Sequence, residues 1–286
     1  MKKNLLSLGA LAGALLAAAA AQAQAPTAHK LTKVWESEAA LKVPESVRFD
    51  AKRKVLYVSN IDGEPWVADG KGSIAKLGLD GKVIAADWVT GLDCPKGLAL
   101  SADGKWLYAA DIGGIVVIDI KKGKIKQKIA IPEGVQLNDL VSDGKDTLYV
   151  SDSKGKTVYV VKDGKASVYL DETALKGPNG LLVHDGALYV LDNNSLNRVG
   201  PDKSLTVIAD GMPGGVDGLE NVKGSDFLVS VWSGAVWYVN GDGSKELLFD
   251  GKAVQTSTAD IGWDPATGTA YVPTFFKNTV IAFKVE

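Results

Sequence analysis

The sequence predicts an all-β fold, a six-bladed β-propeller, on three observations. A short phrase is written six times along the 286 residues: a polar residue opens an apolar strand, a Gly/Asp turn follows, and a second apolar strand ends in a polar or acidic residue. The copies open at Glu45, Lys96, Asn138, Asn179, Asp217 and Ala259, and Tyr57, Tyr108, Tyr149, Tyr189, Leu228 and Tyr271 follow after 10 to 12 residues. A period of about 40 residues suits a four-stranded propeller blade. Helical periodicity is absent from every copy, and Asp-Gly and Gly-Lys pairs between β-branched runs are hairpin signals.

Taken in order, residues 1–23 read as a secretory signal of bacterial type. Lys2 and Lys3 start it, Leu5 to Ala21 is apolar, and Ala21-Gln22-Ala23 suits the peptidase. The protein is thus expected to be periplasmic or secreted, with residues 24–286 forming one propeller domain. Segment His29–Ser37, with Leu31, Val34 and Trp35 apolar, precedes the first copy and has no blade of its own. The third copy shows the full unit, with strands expected at Leu137–Val141, Thr147–Ser151, Thr157–Val161 and Ala166–Leu170. The last copy offers strands at Ala259–Trp263, Thr269–Pro273 and Thr279–Val285, one short of four. The N-terminal segment should supply the missing strand and close the ring, since an open edge invites association.

Composition excludes several classes. The formal charge of −2 falls to −4 once Lys2 and Lys3 leave, which gives no electrostatic case for nucleic acid. No stretch after the signal is apolar enough for a transmembrane helix. A single cysteine, Cys94, allows no internal disulfide framework and reads as a buried small hydrophobe. A latched propeller has no need of partners, so a monomer acting on a small molecule is expected. The Tyr of Leu-Tyr-Val and the residues Asn60, Asp111, Asp152 and Asp192 recur in blades whose opening residues differ, which marks them as structural.

Function should lie where the blades differ. The innermost strands line the central channel, so the opening residues form a ring of Glu45, Lys96, Asn138, Asn179, Asp217 and Ala259. Two carboxylates and two amide oxygens converging on an axis suit a hard divalent cation, Ca²⁺ first, with Mg²⁺, Mn²⁺ or Zn²⁺ as alternatives. Two other readings fit the same residues. Lys96, across the ring from blade 5, could pair with Asp217 without metal, and Asn, Asp and Gly also serve as turn residues.

Glu45, Asn138-Asp139, Pro178-Asn179-Gly180 and Asp217-Gly218, in that order by blade, resemble the SMP-30/gluconolactonase family, a relative of the paraoxonases, over the whole mature chain. The resemblance implies a six-bladed propeller with Glu45, Asn179 and Asp217 as metal ligands and Asn138 as a fourth ligand or substrate contact. It also implies lactone hydrolysis. One motif departs: Glu45 is followed by Ser46-Val47-Arg48, where family lactonases usually show Glu-Gly-Pro and a Trp. A paraoxonase-type histidine base is excluded, because His29 and His184 are the only histidines and neither sits at the ring.

With no histidine, a carboxylate must help deprotonate the attacking water. Asp217 resembles the residue given that task in gluconolactonases and is the expected catalytic group. Lys96, Asn138 and Asp260 are expected substrate contacts. Asp139 and Asp260, one position past the ring, should point away from the axis unless the strand starts are irregular. Asp62–Trp66, Trp232 and Thr274–Phe276 leave the same face and could wall the mouth, and Glu220 reads as structural. The competing function is a non-catalytic propeller that binds a small ligand or protein with a structural cation.

Overall fold

The computed structural model describes residues 28–145 and 147–286, so the expected signal segment 1–23 lies outside the described residues. Among these, strands form six four-stranded antiparallel sheets, each ordered from the axis outward. Blade 1 runs Pro44–Asp50, Val55–Asn60, Gly72–Gly78 and Val83–Leu92. Blade 3 runs Leu137–Ser142, Thr147–Asp152, Thr157–Lys162 and Lys165–Leu170, each strand within a residue of its expected bounds. The inner strands of blades 4 and 5 are Pro178–His184 and Val216–Lys223. No helix among the described residues is long and apolar enough to cross a membrane.

The ring closes as the strand count requires. Leu31–Glu36 pairs antiparallel with Val280–Val285 and becomes the outer strand of blade 6. Trp35 anchors it: its indole Nε1 donates to Leu79 O at 2.9 Å, and its ring lies against Tyr271 and Gly81. The latch therefore ties blade 6 to blade 1 as well as completing a sheet.

The core is divided between blades. Six apolar clusters each bridge two neighbouring blades; one joins Tyr57, Ile74 and Leu92 of blade 1 to Leu107, Val116 and Ile118 of blade 2. The second-strand tyrosines sit in these seams, which is why the residue type repeats while the axis varies. The acids that follow them pin the incoming loops. Asp111 accepts from Asp93 and Cys94 N–H, Asp152 from Val135 and Gln136, and Asp192 from Lys176 and Gly177.

Two inner strands differ from expectation. Those of blades 2 and 6 are shortened to Leu98–Leu100 and Gly262–Asp264, so Lys96 and Ala259 stand just before their strands. Both carry bonds across a seam: Gly97 N–H of blade 2 donates to Asn138 O of blade 3 at 3.1 Å, while Lys96 N–H keeps its bond to Ala110 O. Asp260 N–H donates to Glu45 O at 2.9 Å and Val47 N–H to Asp260 O at 3.2 Å, pairing blade 6 with blade 1 instead of with its own second strand.

Candidate metal centre on the propeller axis

The inner strands start irregularly. Register breaks fall between Pro44 and Ser46, Leu137 and Leu140, Pro178 and Leu181, and Val216 and Leu219. Each break spans a ring residue and, in blades 3, 4 and 5, the residue after it, so strict alternation does not hold there. The second residue turns sideways, toward the next blade. Where it is glycine, the neighbouring chain fills the space: a Cβ at Gly97 would collide with Asp139, and one at Gly180 with the carbonyl oxygen of Asp217. Where it is acidic, it bonds laterally. Asp139 accepts from Leu140 N–H and from Leu181 N–H of blade 4, both at 2.6 Å, and Asp260 accepts from Ser46 Oγ at 2.5 Å. The irregularity thus makes the buried Asp139 and the half-buried Asp260 a second tier between blades.

The ring residues meet in two groups. Lys96 Nζ lies 3.7 Å from Glu45 Oε1, and both side chains are only 5% exposed. The ion pair of Lys96 is therefore with the neighbouring blade, not with Asp217, although its charge still reaches Asp217 through space. On the other side, Asn179 Nδ2 donates to Asp217 Oδ1 at 3.1 Å. Asn138 Nδ2 donates to Ser153 Oγ at 3.1 Å, and Ser153 in turn donates to Pro178 O, which fixes the blade 3 amide against blade 4. Ala259 contributes no polar group and packs with Ile61, Cys94 and Phe275.

Negative charge is in excess here. Burial, then the Glu45 charge, hold the Asp217 carboxyl well above the usual carboxylate range; burial and Asp139 do the same to Asp260. Burial pushes Asp139 up to about 7 against the hydrogen bonds it accepts. Glu45 is also raised by burial, with Lys96 opposing. Deeper in the channel, three residues on from Glu45 and Asp217, Arg48 Nη1 lies 3.7 Å from Glu220 Oε1. Burial still lifts Glu220 to about 7. Glu220 is thus part of the channel's charge balance, a role its position three residues past Asp217 could have suggested.

The donor set fits a hard cation on one further observation. Glu45 Oε2 and Asn179 Oδ1 are buried without a hydrogen-bond partner, although a buried acceptor left unpaired is costly. Both belong to the expected ligand set, beside Asp217. Among the described residues no three Asp, Glu, His or Cys side chains form a ready metal cluster, so the fit rests on carboxylates mixed with amides. Mixed oxygen sets of that kind suit Ca²⁺ or Mg²⁺ better than soft ions.

The mouth is aromatic on two sides. Trp66 covers Lys96, the ammonium lying 4.4 Å from its ring centroid, and Trp66 N–H points at the Cys94 sulfur at 3.4 Å. This cation–π lid is invisible in sequence, since 30 residues separate the partners. A second aromatic group, Trp232, Phe275 and Phe276, packs edge to face, with Trp232 42% and Phe276 66% exposed. Cys94 is buried, and burial raises its thiol. Both histidines are engaged elsewhere: His29 bonds Glu246 and stacks on Tyr238, and His184 bonds Gly224 O at the far end of the channel.

Comparison with solved structures places this architecture among known propellers. A gluconolactonase from Xanthomonas campestris superposes with a TM-score of 0.66 at 18% identity, covering 90% of this chain and 89% of its own. A streptogramin B lyase gives 0.65 at 12% identity, covering 90% and 98%. The nidogen/laminin complex gives 0.64 at 18% identity, covering 77% and 84%. No family model and no curated protein sequence matches the chain. These likenesses, all under 25% identical, are likenesses of fold, and the fold of this chain is a six-bladed propeller.

Proposed function

We propose that the protein is an exported, monomeric, metal-dependent hydrolase of lactones or related esters, with its site on the propeller axis. The observation that carries this reading is the pair of orphaned buried oxygens, Glu45 Oε2 and Asn179 Oδ1, the second on an amide that bonds Asp217. Glu45, Asn179 and Asp217 would hold the ion, Ca²⁺ by preference, with Asn138 completing the protein ligands or contacting substrate. Four oxygens leave positions free on an ion that takes about six to eight. When bound, such an ion supplies Lewis-acid polarisation of the lactone carbonyl and neutralises the oxyanion.

The remaining work falls to side chains of this chain. Asn179 Nδ2 fixes Oδ1 of Asp217, so the carboxylate is held in one orientation. Asp217 would take the proton from the attacking water. Ser153 orients Asn138, and Asp260, bonded to Ser46, shapes the floor beneath the substrate. Trp66, Trp232 and Phe276 wall the mouth and limit water.

The alternative is a non-catalytic binding propeller. It is favoured by Lys96, which already counters Glu45, and by the absence of a base other than the ligands themselves. Proton release from a panel of sugar and aliphatic lactones, with Ca²⁺ or Mn²⁺ and with chelator, separates the two. Metal-dependent turnover that disappears in Asp217→Ala is expected. Ion binding without turnover on any lactone or ester would leave the binding propeller.

A further inference from the structure

We infer that Lys96 is a resident counter-cation, tethered in the ring, which competes with a divalent ion for Glu45. The inference rests on the cation site proposed above and concerns what Lys96 does to it. Four carboxylates, the buried Glu45, Asp139 and Asp217 and the half-buried Asp260, act on one another near the axis. Lys96, at the blade 2 position of the ring, is an ammonium paired with Glu45 among them.

Its environment holds it there loosely. Lys96 is 4% exposed, yet its one ion-pair contact is a single 3.7 Å approach to Glu45 Oε1, longer than a good charge-assisted hydrogen bond. The other support is the face of Trp66. Glu45 meanwhile keeps its second oxygen buried and unpartnered. The two oxygens of one carboxylate thus differ: Oε1 lies by the tethered ammonium, while Oε2, like Asn179 Oδ1, is buried with no hydrogen-bond partner and is left for a divalent ion. Asp139 and Asp260 are committed to lateral bonds with Leu181 and Ser46, so Glu45 is the group the two cations divide.

The consequence is a site whose affinity is set by repulsion from its own side chain. A unit charge about 5 Å from a divalent ion opposes binding by roughly 1–2 kcal/mol even in a water-like dielectric. Lys96 therefore keeps the ring neutral enough to fold without metal and makes divalent binding weaker and reversible.

The test is calorimetric titration of Ca²⁺ into the folded protein, with Lys96→Met, Trp66→Leu and Glu45→Gln. Lys96→Met removes the charge at similar volume and is expected to bind Ca²⁺ at least about tenfold more tightly. Trp66→Leu removes the cation–π hold while leaving the lysine, and should tighten binding by about threefold; it carries the test if Lys96→Met does not fold. Glu45→Gln should lose most of the binding and so locates the heat at the ring. Unchanged or weaker binding in Lys96→Met and Trp66→Leu, with the wild-type protein binding normally, overturns the inference and leaves the cation site standing. No binding in any folded variant overturns the cation site and the inference together.

Discussion

Gly180 lies between the ring residue Asn179 and the seam with blade 5, and no side chain fits there. A Cβ would meet the carbonyl oxygen of Asp217, so the strand carrying the expected base must shift if one is added. Gly180→Ala should cost about 2–3 kcal/mol in denaturant unfolding and weaken Ca²⁺ binding in the same protein. A loss of stability with Ca²⁺ affinity intact would show that Asp217 is not placed by this contact. At this scale the sequence reveals residue types better than partners. Glu45, Asn179 and Asp217 were recognisable from their place in a repeat. That Lys96 turns to Glu45, and that Asp139 and Asp260 lie sideways, depends on register breaks that strand alternation cannot anticipate.

Trp35 fastens the latch strand to blade 1 through its hydrogen bond to Leu79 O and its packing on Gly81, and it packs on Tyr271 of blade 6. Trp35→Ala should destabilise the fold by about 2 kcal/mol, and Trp35→Phe by about 1 kcal/mol, the share of the indole hydrogen bond. Thermal unfolding measures both; a Trp35→Phe protein as stable as the wild type would mean the hydrogen bond contributes nothing. Elements were the most legible level of this molecule. Blade 3 could be drawn strand by strand because Asp143-Gly144 and Asp163-Gly164 mark its turns. The missing fourth strand of the last copy pointed to Leu31–Glu36 by strand count alone. The shortened strand of blade 6 escaped, because Asp260 satisfies its backbone across the seam to blade 1.

Across the whole molecule, charge on the axis makes stability depend on pH. Asp217, Asp260, Glu45, Asp139 and Glu220 all have raised pKa values in the fold, with burial the first cause in each. For Glu220 the window runs from its ordinary 4.5 to about 7. Within it the unfolded chain ionises while the folded protein keeps its proton, so stability is full below the window and is lost as pH rises through it. Glu220 alone accounts for at most about 3 kcal/mol of that loss. Without divalent ions the melting temperature should therefore fall between about pH 5 and pH 8, and Glu220→Gln should flatten part of the fall. Saturating Ca²⁺ should restore much of the remainder, because an ion that binds only the folded state stabilises it. A melting temperature that rises over this range without Ca²⁺ would contradict the charge balance described for the channel.

The central claim, that the ring is a divalent-cation site, is tested most directly by a crystal structure of the protein soaked in Mn²⁺ and measured at an anomalous edge. The account predicts one axial peak in bonding contact with oxygens of Glu45, Asn179 and Asp217, with Lys96 drawn away from Glu45. An empty axis at saturating ion, with Lys96 still on Glu45, would contradict it and leave the lysine as the ring's only cation.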